Sequence, residues 1–266
     1  VANIRDDESV TAAVQGADAV ITSIGVLFNR GRQTFGSIHV DGAERVANAA
    51  AAAGAERLIH ISALGADAES SSAYARSKAE GEARVLEAFP GATLVRPSVV
   101  FGVEDQFFNK FAALVRLVPA LPIFGDDLFN AGRSRLQPVY VGDVAEAIVR
   151  ILDDASAVGE TFELGGPRTY TYKEIMEMVL RVTGRQRLLV PVPFWAAKIA
   201  AAVFELLPTP PLTRDQLELL AADNVVSDGV KSLSDLGLRT SSIEGIVPQY
   251  LGRYRRRTTR SSATSA

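Results

Sequence analysis

The 266-residue chain contains no cysteine, only two histidines, His39 and His60, and a single tryptophan. The absence of cysteine excludes disulfide bonds, thiolate nucleophiles and zinc–thiolate sites together. Two histidines offer no basis for a histidine metal cluster, so no metal site is expected. An excess of basic charge is also missing. With 28 Lys and Arg against 31 Asp and Glu, the formal net charge is −3, and no broad positive field recommends nucleic acid as a partner. No apolar run reaches the ~18 residues needed to cross a bilayer. The nearest, Val192 to Leu207, is interrupted by Lys198 and Glu205, so at most a peripheral membrane contact is expected. The first residue is Val1 rather than methionine, with no signal-like charge pattern. Val1-Ala-Asn-Ile-Arg5 reads as the tail of a strand, and the chain is expected to continue a longer polypeptide.

What is present is an ordinary globular composition, 47% hydrophobic and 22% charged, long enough for one large α/β domain with or without an appended lobe. Strand and helix patterns alternate over the first part of the chain. Asp18 to Ser23, Arg57 to Ser62 and Ala92 to Arg96 read as short apolar strands; an alanine-rich helix over about 35–53 and a second over about 71–89 separate them. That alternation predicts βαβ units and a parallel, doubly wound sheet. Beyond Phe101 the pattern loosens. A helix near 106–117 precedes a Pro/Gly-rich passage over 119–132. Leu136 to Val141 and Thr161 to Gly166 look like strands and 142–152 like a helix. Tyr170-Thr-Tyr-Lys-Glu starts another helix, with Thr171 as its N-cap. From Pro191 onward the pattern is helical over 194–206, 213–221 and 243–254. The expected architecture is a Rossmann-like α/β core over 1–118, a smaller and mainly helical C-terminal lobe over 119–254 with strands returning to the core sheet, and a disordered basic tail over 255–266.

The sharpest chemical motif is Tyr74-Ala-Arg-Ser-Lys78. Positions i and i+4 share one helix face, so phenol and ammonium project together. A nearby ammonium favours the phenolate and is expected to draw the tyrosine pKa down from ~10. Such a tyrosine serves as a general acid/base at a carbonyl oxygen during hydride transfer. Equally, the pair can bind ribose hydroxyls without moving a proton. The motif opens a helix after a strand ending in Ile61-Ser62, and the following strand ends in Arg96-Pro-Ser-Val-Val-Phe-Gly102.

In this order, these motifs resemble the extended short-chain dehydrogenase/reductase superfamily. The chain is most similar to its atypical branch containing the nine-alpha accessory subunit of respiratory complex I and bacterial relatives. The resemblance is carried by Gly25-Val-Leu-Phe-Asn-Arg-Gly-Arg-Gln-Thr-Phe35, His60-Ile-Ser-Ala63, the stretch Ser71 to Glu82, Pro97 to Asn109, Gln137 to Val144, and Leu212-Thr-Arg-Asp-Gln-Leu217. It implies an NAD(P) cofactor and two upstream βα units holding the glycine-rich pyrophosphate turn. It also implies that Asn3 and Ile4 lie beside the adenine and that Ile24 and Gly25 line the cofactor. Tyr74 and Lys78 would approach the nicotinamide ribose, and Pro97, Ser98, Val99 and Val100 would form the nicotinamide pocket. Taken alone, Gly25 reads equally as a strand-ending turn and Pro97 as a strand stop.

Two departures bear on catalysis. Active members carry a run of Ser/Thr near the end of the central strand, where this chain keeps only Ser62 as a catalytic hydroxyl. They also carry an asparagine that supports the lysine through water, where this chain reads His39-Val-Asp-Gly-Ala43. Loss of both supports is expected to loosen the proton relay. Elsewhere, Arg30 and Arg32 lie in a loop at the carboxyl edge of the sheet and suit either a phosphate or plain solvation. Asp105 and Asn109 share a helix face that suits the cleft or a favourable helix start. Trp195, Ile199, Ala202, Val203 and Leu206 form one stripe, spaced for a core-facing surface or, as the resemblance would permit, for a partner-facing one. The cluster of Arg253, Arg255, Arg256, Arg257 and Arg260 suits anionic lipid, an acidic partner or simple solubility.

The expected function is a protein of the complex I accessory-subunit type that binds a dinucleotide mainly structurally. Its implied partners are respiratory complex I or a quinone-biosynthesis assembly. Its implied location is the cytoplasm, the cytoplasmic face of a bacterial inner membrane, or the mitochondrial matrix side. An active reductase or epimerase using Tyr74 and Lys78 on a quinone-like, isoprenoid or nucleotide-sugar substrate is the alternative; a redox sensor of the same fold is a third reading.

Overall fold

A computed structural model describes residues 2–255; most of the basic tail read from the sequence lies outside them. Among the described residues no strand precedes the first helix. Residues 2–6 are a turn, and α1 (Asp7–Val14) begins at once because the Asp6 side chain accepts the Ser9 N–H at 2.7 Å, with Asp7 and Glu8 in the first turn. A capping aspartate followed by acids is a helix start, and it overrides the apolar residues read there as a strand end.

The core follows as β1 (Ala19–Thr22), a π-helical turn (Gly36–Val40) running into α2 (Asp41–Ala52), β2 (Arg57–Ile61), α3 (Ala73–Ala88) and β3 (Thr93–Pro97). Beyond it lie β4 (Val100–Phe101), α4 (Phe108–Leu114), β5 (Ala120–Gly125), β6 (Arg135–Leu136), β7 (Val139–Tyr140), α5 (Val141–Asp153) and β8 (Thr161–Leu164). The chain closes with β9 (Tyr170–Thr171), α6 (Tyr172–Thr183), β10 (Leu188–Pro193), α7 (Phe194–Phe204), α8 (Arg214–Ala221) and α9 (Ile243–Leu251).

The main sheet runs β1-β2-β3-β8, every neighbour parallel. Both faces are covered over β2, β3 and β8, as parallel sheets require, whereas Ala19 and Ile21 of the edge strand β1 are exposed. One face packs Val20 and Leu58 against Val10 of α1, Val46 and the alanines of α2, and Val85 of α3. The other packs Ile59, Val95 and Phe162 under Val144, Ala147 and Ile151 of α5. Small residues set the spacing between layers. A Cβ on Gly81 of α3 would overlap the carbonyl oxygen of His39, so only glycine lets α3 sit this close to the π-helical turn. The Rossmann-like α/β class read from the sequence is the one observed.

A separate core is built from α4, β5, α6 and α9 around Phe101, Phe108, Tyr172, Met176 and Leu251. Its parallel pair β5–β10 occupies stretches read as a Pro/Gly-rich loop and as the approach to a helix. Pro122, Pro191 and Pro193 hide it from a propensity reading, yet a two-stranded ribbon is all edge, where proline is tolerated. The stripe on α7 is also reversed. Trp195, Ile199, Val203 and Leu206 are 67%, 63%, 61% and 83% exposed, whereas Ala197 and Ala201 are buried. The helix turns its small face inward against α8 and β5, and close packing through alanine leaves the large side chains outside. Among the described residues no helix is long and apolar enough to cross a membrane, and no group of three His, Cys, Asp or Glu is placed to hold a metal ion.

Candidate functional site

The carboxyl ends of parallel strands are where ligands sit in such sheets, and α3 lines that edge. Its inward residues Tyr74, Lys78 and Glu82 recur every four positions. Glu82 is gripped by both ends of the Arg96 guanidinium, Nε to Oε1 at 2.9 Å and Nη2 to Oε2 at 2.6 Å, while Arg96 Nη1 lies 3.6 Å from Glu163. This mostly buried ion cluster ties α3 to β3 and β8. One turn earlier, Lys78 Nζ donates to the Ile61 carbonyl at 3.0 Å, at the end of β2. The first turn is completed from a distance: Ala73 N–H and Tyr74 N–H donate to the carboxylate of Asp215 on α8, at 2.6 and 3.2 Å.

His39 joins this helix to the loop after β1. Its Nε2 accepts the Val26 N–H at 2.9 Å, and its Nδ1 lies 2.9 Å from Ser77 Oγ. Ser77 Oγ donates to the Tyr74 carbonyl at 2.8 Å, so the imidazole must be neutral with its proton on Nδ1. The ring stacks on Phe35 at 5.4 Å and meets the Tyr74 ring edge-on at 5.3 Å. Burial, and then the charge on Lys78, holds the His39 pKa down to about 4. His60 on β2 is held down to about 3 for the same reasons, with His39 adding to the effect. His39 thus ties the loop after β1, its own π-helical turn and α3 together.

The electrostatics of the Tyr–Lys pair differ from the expectation. The Tyr74 phenol is pushed up to about 12, first by burial and then by the Asp215 carboxylate. Burial lowers the Lys78 amine to about 8, partly opposed by Glu82. A single ammonium engaged with a backbone carbonyl does not outweigh desolvation of the phenolate. The phenol is therefore a hydrogen-bond donor near neutrality.

The other residues named from the sequence fall into two places. Around the ends of β2, β3 and β8, Leu64 N–H donates to the Pro97 carbonyl at 2.9 Å and Ser98 N–H to the Leu164 carbonyl at 2.9 Å. Val139 N–H donates to the Val99 carbonyl at 3.0 Å, opposite Val100 of β4. The Ser98 hydroxyl is committed to Asn224. The Ser62 hydroxyl is buried without a partner, as are both ring nitrogens of His60. At β1, Ile4 and Ile24 line an open groove of about 320 Å³ with Val10, Thr22 and Val46. Gly25 lies against the His39 ring. Asn3 is exposed, its amide bonded to Ser9. Arg30 and Arg32 are exposed in a tight turn closed by Arg30–Gln33 backbone bonds. Asp105 does not serve the cleft: it accepts the Tyr250 hydroxyl at 2.6 Å, and Asn109 takes Arg253, so both brace the C-terminal helix.

Sequence reading missed Ser77, Glu82 and Asp215. Glu82 repeats the Tyr74–Lys78 spacing and was visible on that ground; Asp215 falls in the Leu212–Leu217 stretch that carried the resemblance, but it lies 141 residues from Tyr74 and nothing in that stretch announces the contact. The group implied by this site is a nicotinamide dinucleotide. An orphaned buried hydroxyl at Ser62, a neutral phenol, an amine and a bare backbone at Gly25 fit its ribose side.

Residues 1–97 match a family described as NAD(P)H-binding. The chain is 34% identical to the mitochondrial 40 kDa subunit of NADH-ubiquinone oxidoreductase from Neurospora crassa, over 95% of this chain and 65% of that protein. It is 30% identical to the mitochondrial NADH dehydrogenase (ubiquinone) 1 alpha subcomplex subunit 9 of Dictyostelium discoideum, over 91% of this chain and 67% of that one. The chain thus spans just under two thirds of the first of these relatives. In structure it is similar to a dTDP-glucose 4,6-dehydratase from Streptomyces venezuelae solved with NAD, at a TM-score of 0.69 and 19% identity, covering 95% of this chain and 77% of that one.

Proposed function

The chain belongs to the family of the alpha subcomplex subunit 9 proteins of NADH dehydrogenase (ubiquinone), and on that premise we propose that it holds NAD(P) as a resident, mainly structural ligand and docks on respiratory complex I. The observation that carries the first half is the charge state of the pair: a phenol held at about 12 and an amine tied to the Ile61 carbonyl are donors. Donors suit ribose hydroxyls, and a phenol held that far above neutrality is a poorly matched general acid/base. Tyr74, Lys78 and Ser62 would hold the ribose side, and Ile4 and Ile24 the apolar groove. When bound, the nicotinamide supplies a hydride-transfer centre; this chain's residues orient it and keep it dry.

The second half is supported by the exposed stripe of α7. Contiguous apolar surface of this kind on a monomer marks an interaction site. The location in this reading is the matrix side of the inner membrane, or the cytoplasmic face in a bacterium. The test is intact-mass analysis of the full-length protein for co-purified dinucleotide, together with assembly assays. Tyr74→Phe is expected to assemble normally, and a bulky Gly25→Trp to lose both ligand and assembly. Full assembly by a variant that binds no dinucleotide would reject the proposal. The unpartnered Ser62 hydroxyl favours a second reading, an NAD(P)-dependent reductase or epimerase. It requires Tyr74→Phe to abolish oxidation of NAD(P)H by a quinone-like, isoprenoid or nucleotide-sugar substrate.

A further inference from the structure

An α-helix leaves its first N–H groups without intrahelical partners, and in α3 each of them is answered. Ser72 N–H reaches the Ser70 hydroxyl at 3.2 Å, and Ala75 N–H the Ser72 hydroxyl at 3.2 Å. Ala73 and Tyr74 have no local partner; their N–H groups converge on Asp215, which also accepts the Ser72 hydroxyl at 3.0 Å. One turn along α8, Glu218 accepts the Ser71 hydroxyl at 3.1 Å and pairs with Lys198 of α7 at 2.6 Å. Residues 215 and 218 lie on one helix face. A carboxylate here also cancels the positive end of the α3 dipole. That field would otherwise favour the Tyr74 phenolate and draw anions towards the first turn.

We propose that Asp215 is a positioning residue for the dinucleotide: through it the C-terminal lobe fixes the first turn of α3, and with it the place of Tyr74. This rests on the dinucleotide reading above. Asp215 touches the backbone of α3, not the ligand groove, so it acts through Tyr74. Its placement also links the α7 surface, by way of Lys198, Glu218 and Ser71, to the same turn.

The test uses the full-length protein with NADH as probe, comparing wild type, Asp215→Asn and Thr171→Ala. The asparagine keeps the shape and removes the charge. Thr171→Ala removes the N-cap of α6 in the other core and matches any general loss of stability. Asp215→Asn is expected to weaken NADH binding by roughly tenfold, the scale of one charged cap interaction. Its tyrosine absorbance, read against Tyr74→Phe, should show the Tyr74 phenol titrating at lower pH than in wild type. Thr171→Ala should change neither. Unchanged affinity and an unchanged Tyr74 titration in folded Asp215→Asn would overturn the role of Asp215, as would an equal loss of affinity in Thr171→Ala. Failure of the wild type to bind NADH or NADPH would overturn the dinucleotide reading itself, and this role with it.

Discussion

Lowering the pH from 7 to 5 should destabilise the protein steeply, and the two histidines are the cause. Both are buried and neutral in the fold, with pKa values of about 4 for His39 and about 3 for His60, against an ordinary value of 6.5. A group whose folded pKa lies below its unfolded one adds stability above the unfolded value. That stability is lost as pH falls through the interval, because the unfolded chain takes up protons the fold refuses. The full contribution is therefore present above pH 6.5. At pH 5 each histidine costs about 2 kcal/mol, a large part of a typical net stability. Lys78 stays charged throughout this window, so it does not contribute to the slope. His60→Leu isolates one of the two terms. Its ring nitrogens have no partner, so the leucine loses no hydrogen bond and should leave stability at pH 7 equal or higher. The assay is urea denaturation at pH 7, 6 and 5 for wild type, His60→Leu and His39→Asn. The slope should fall by about half in either variant. Equal wild-type stability at pH 7 and pH 5, or an unchanged slope in His60→Leu, would refute the reasoning.

Three further outcomes follow from the packing of α3 and α7. Arg96→Ala strands the carboxylates of Glu82 and Glu163 in the interior and should cost about 3–5 kcal/mol in chemical denaturation; a loss below about 1 kcal/mol would show that water reaches them. Gly81→Ala drives a methyl group into the His39 carbonyl and should destabilise by about 3 kcal/mol, the upper end for overpacking; an unshifted melting temperature would contradict the close approach of α3. Trp195→Glu, on the exposed face of α7, should change stability by about 0.5 kcal/mol or less yet abolish co-purification with the partner assembly. A large fall in melting temperature would mean that the stripe is core after all.

The core was legible because its signals are local. Strands of a few apolar residues, an alanine-rich helix and the cap at Thr171 were readable as they stand, the last closing as a full capping box. The π-helical turn and α2 were read as one helix, since periodicity is blind to a single widened turn. What stayed hidden depends on distant partners. The ribbon of β5 and β10 exists because each strand has the other, despite its prolines. The stripe on α7 satisfied the spacing rule for a buried face, but the same helix carries a second stripe of alanines. Which one turns inward is decided by how closely α8 and β5 approach.

The Tyr74–Lys78 motif shows the same division within one site. Spacing by four residues guarantees that phenol and amine share a helix face, and they do. It carries no information about the medium around them. The ionisation of a phenol is set by a balance between desolvation and nearby charge, and both depend on residues far away in sequence. Phe35 and His39 wall in the ring, Asp215 brings a negative charge to the helix start, and Ile61 takes the ammonium. In this fold burial and Asp215 push the phenol up to about 12, opposite to the direction expected from the motif alone.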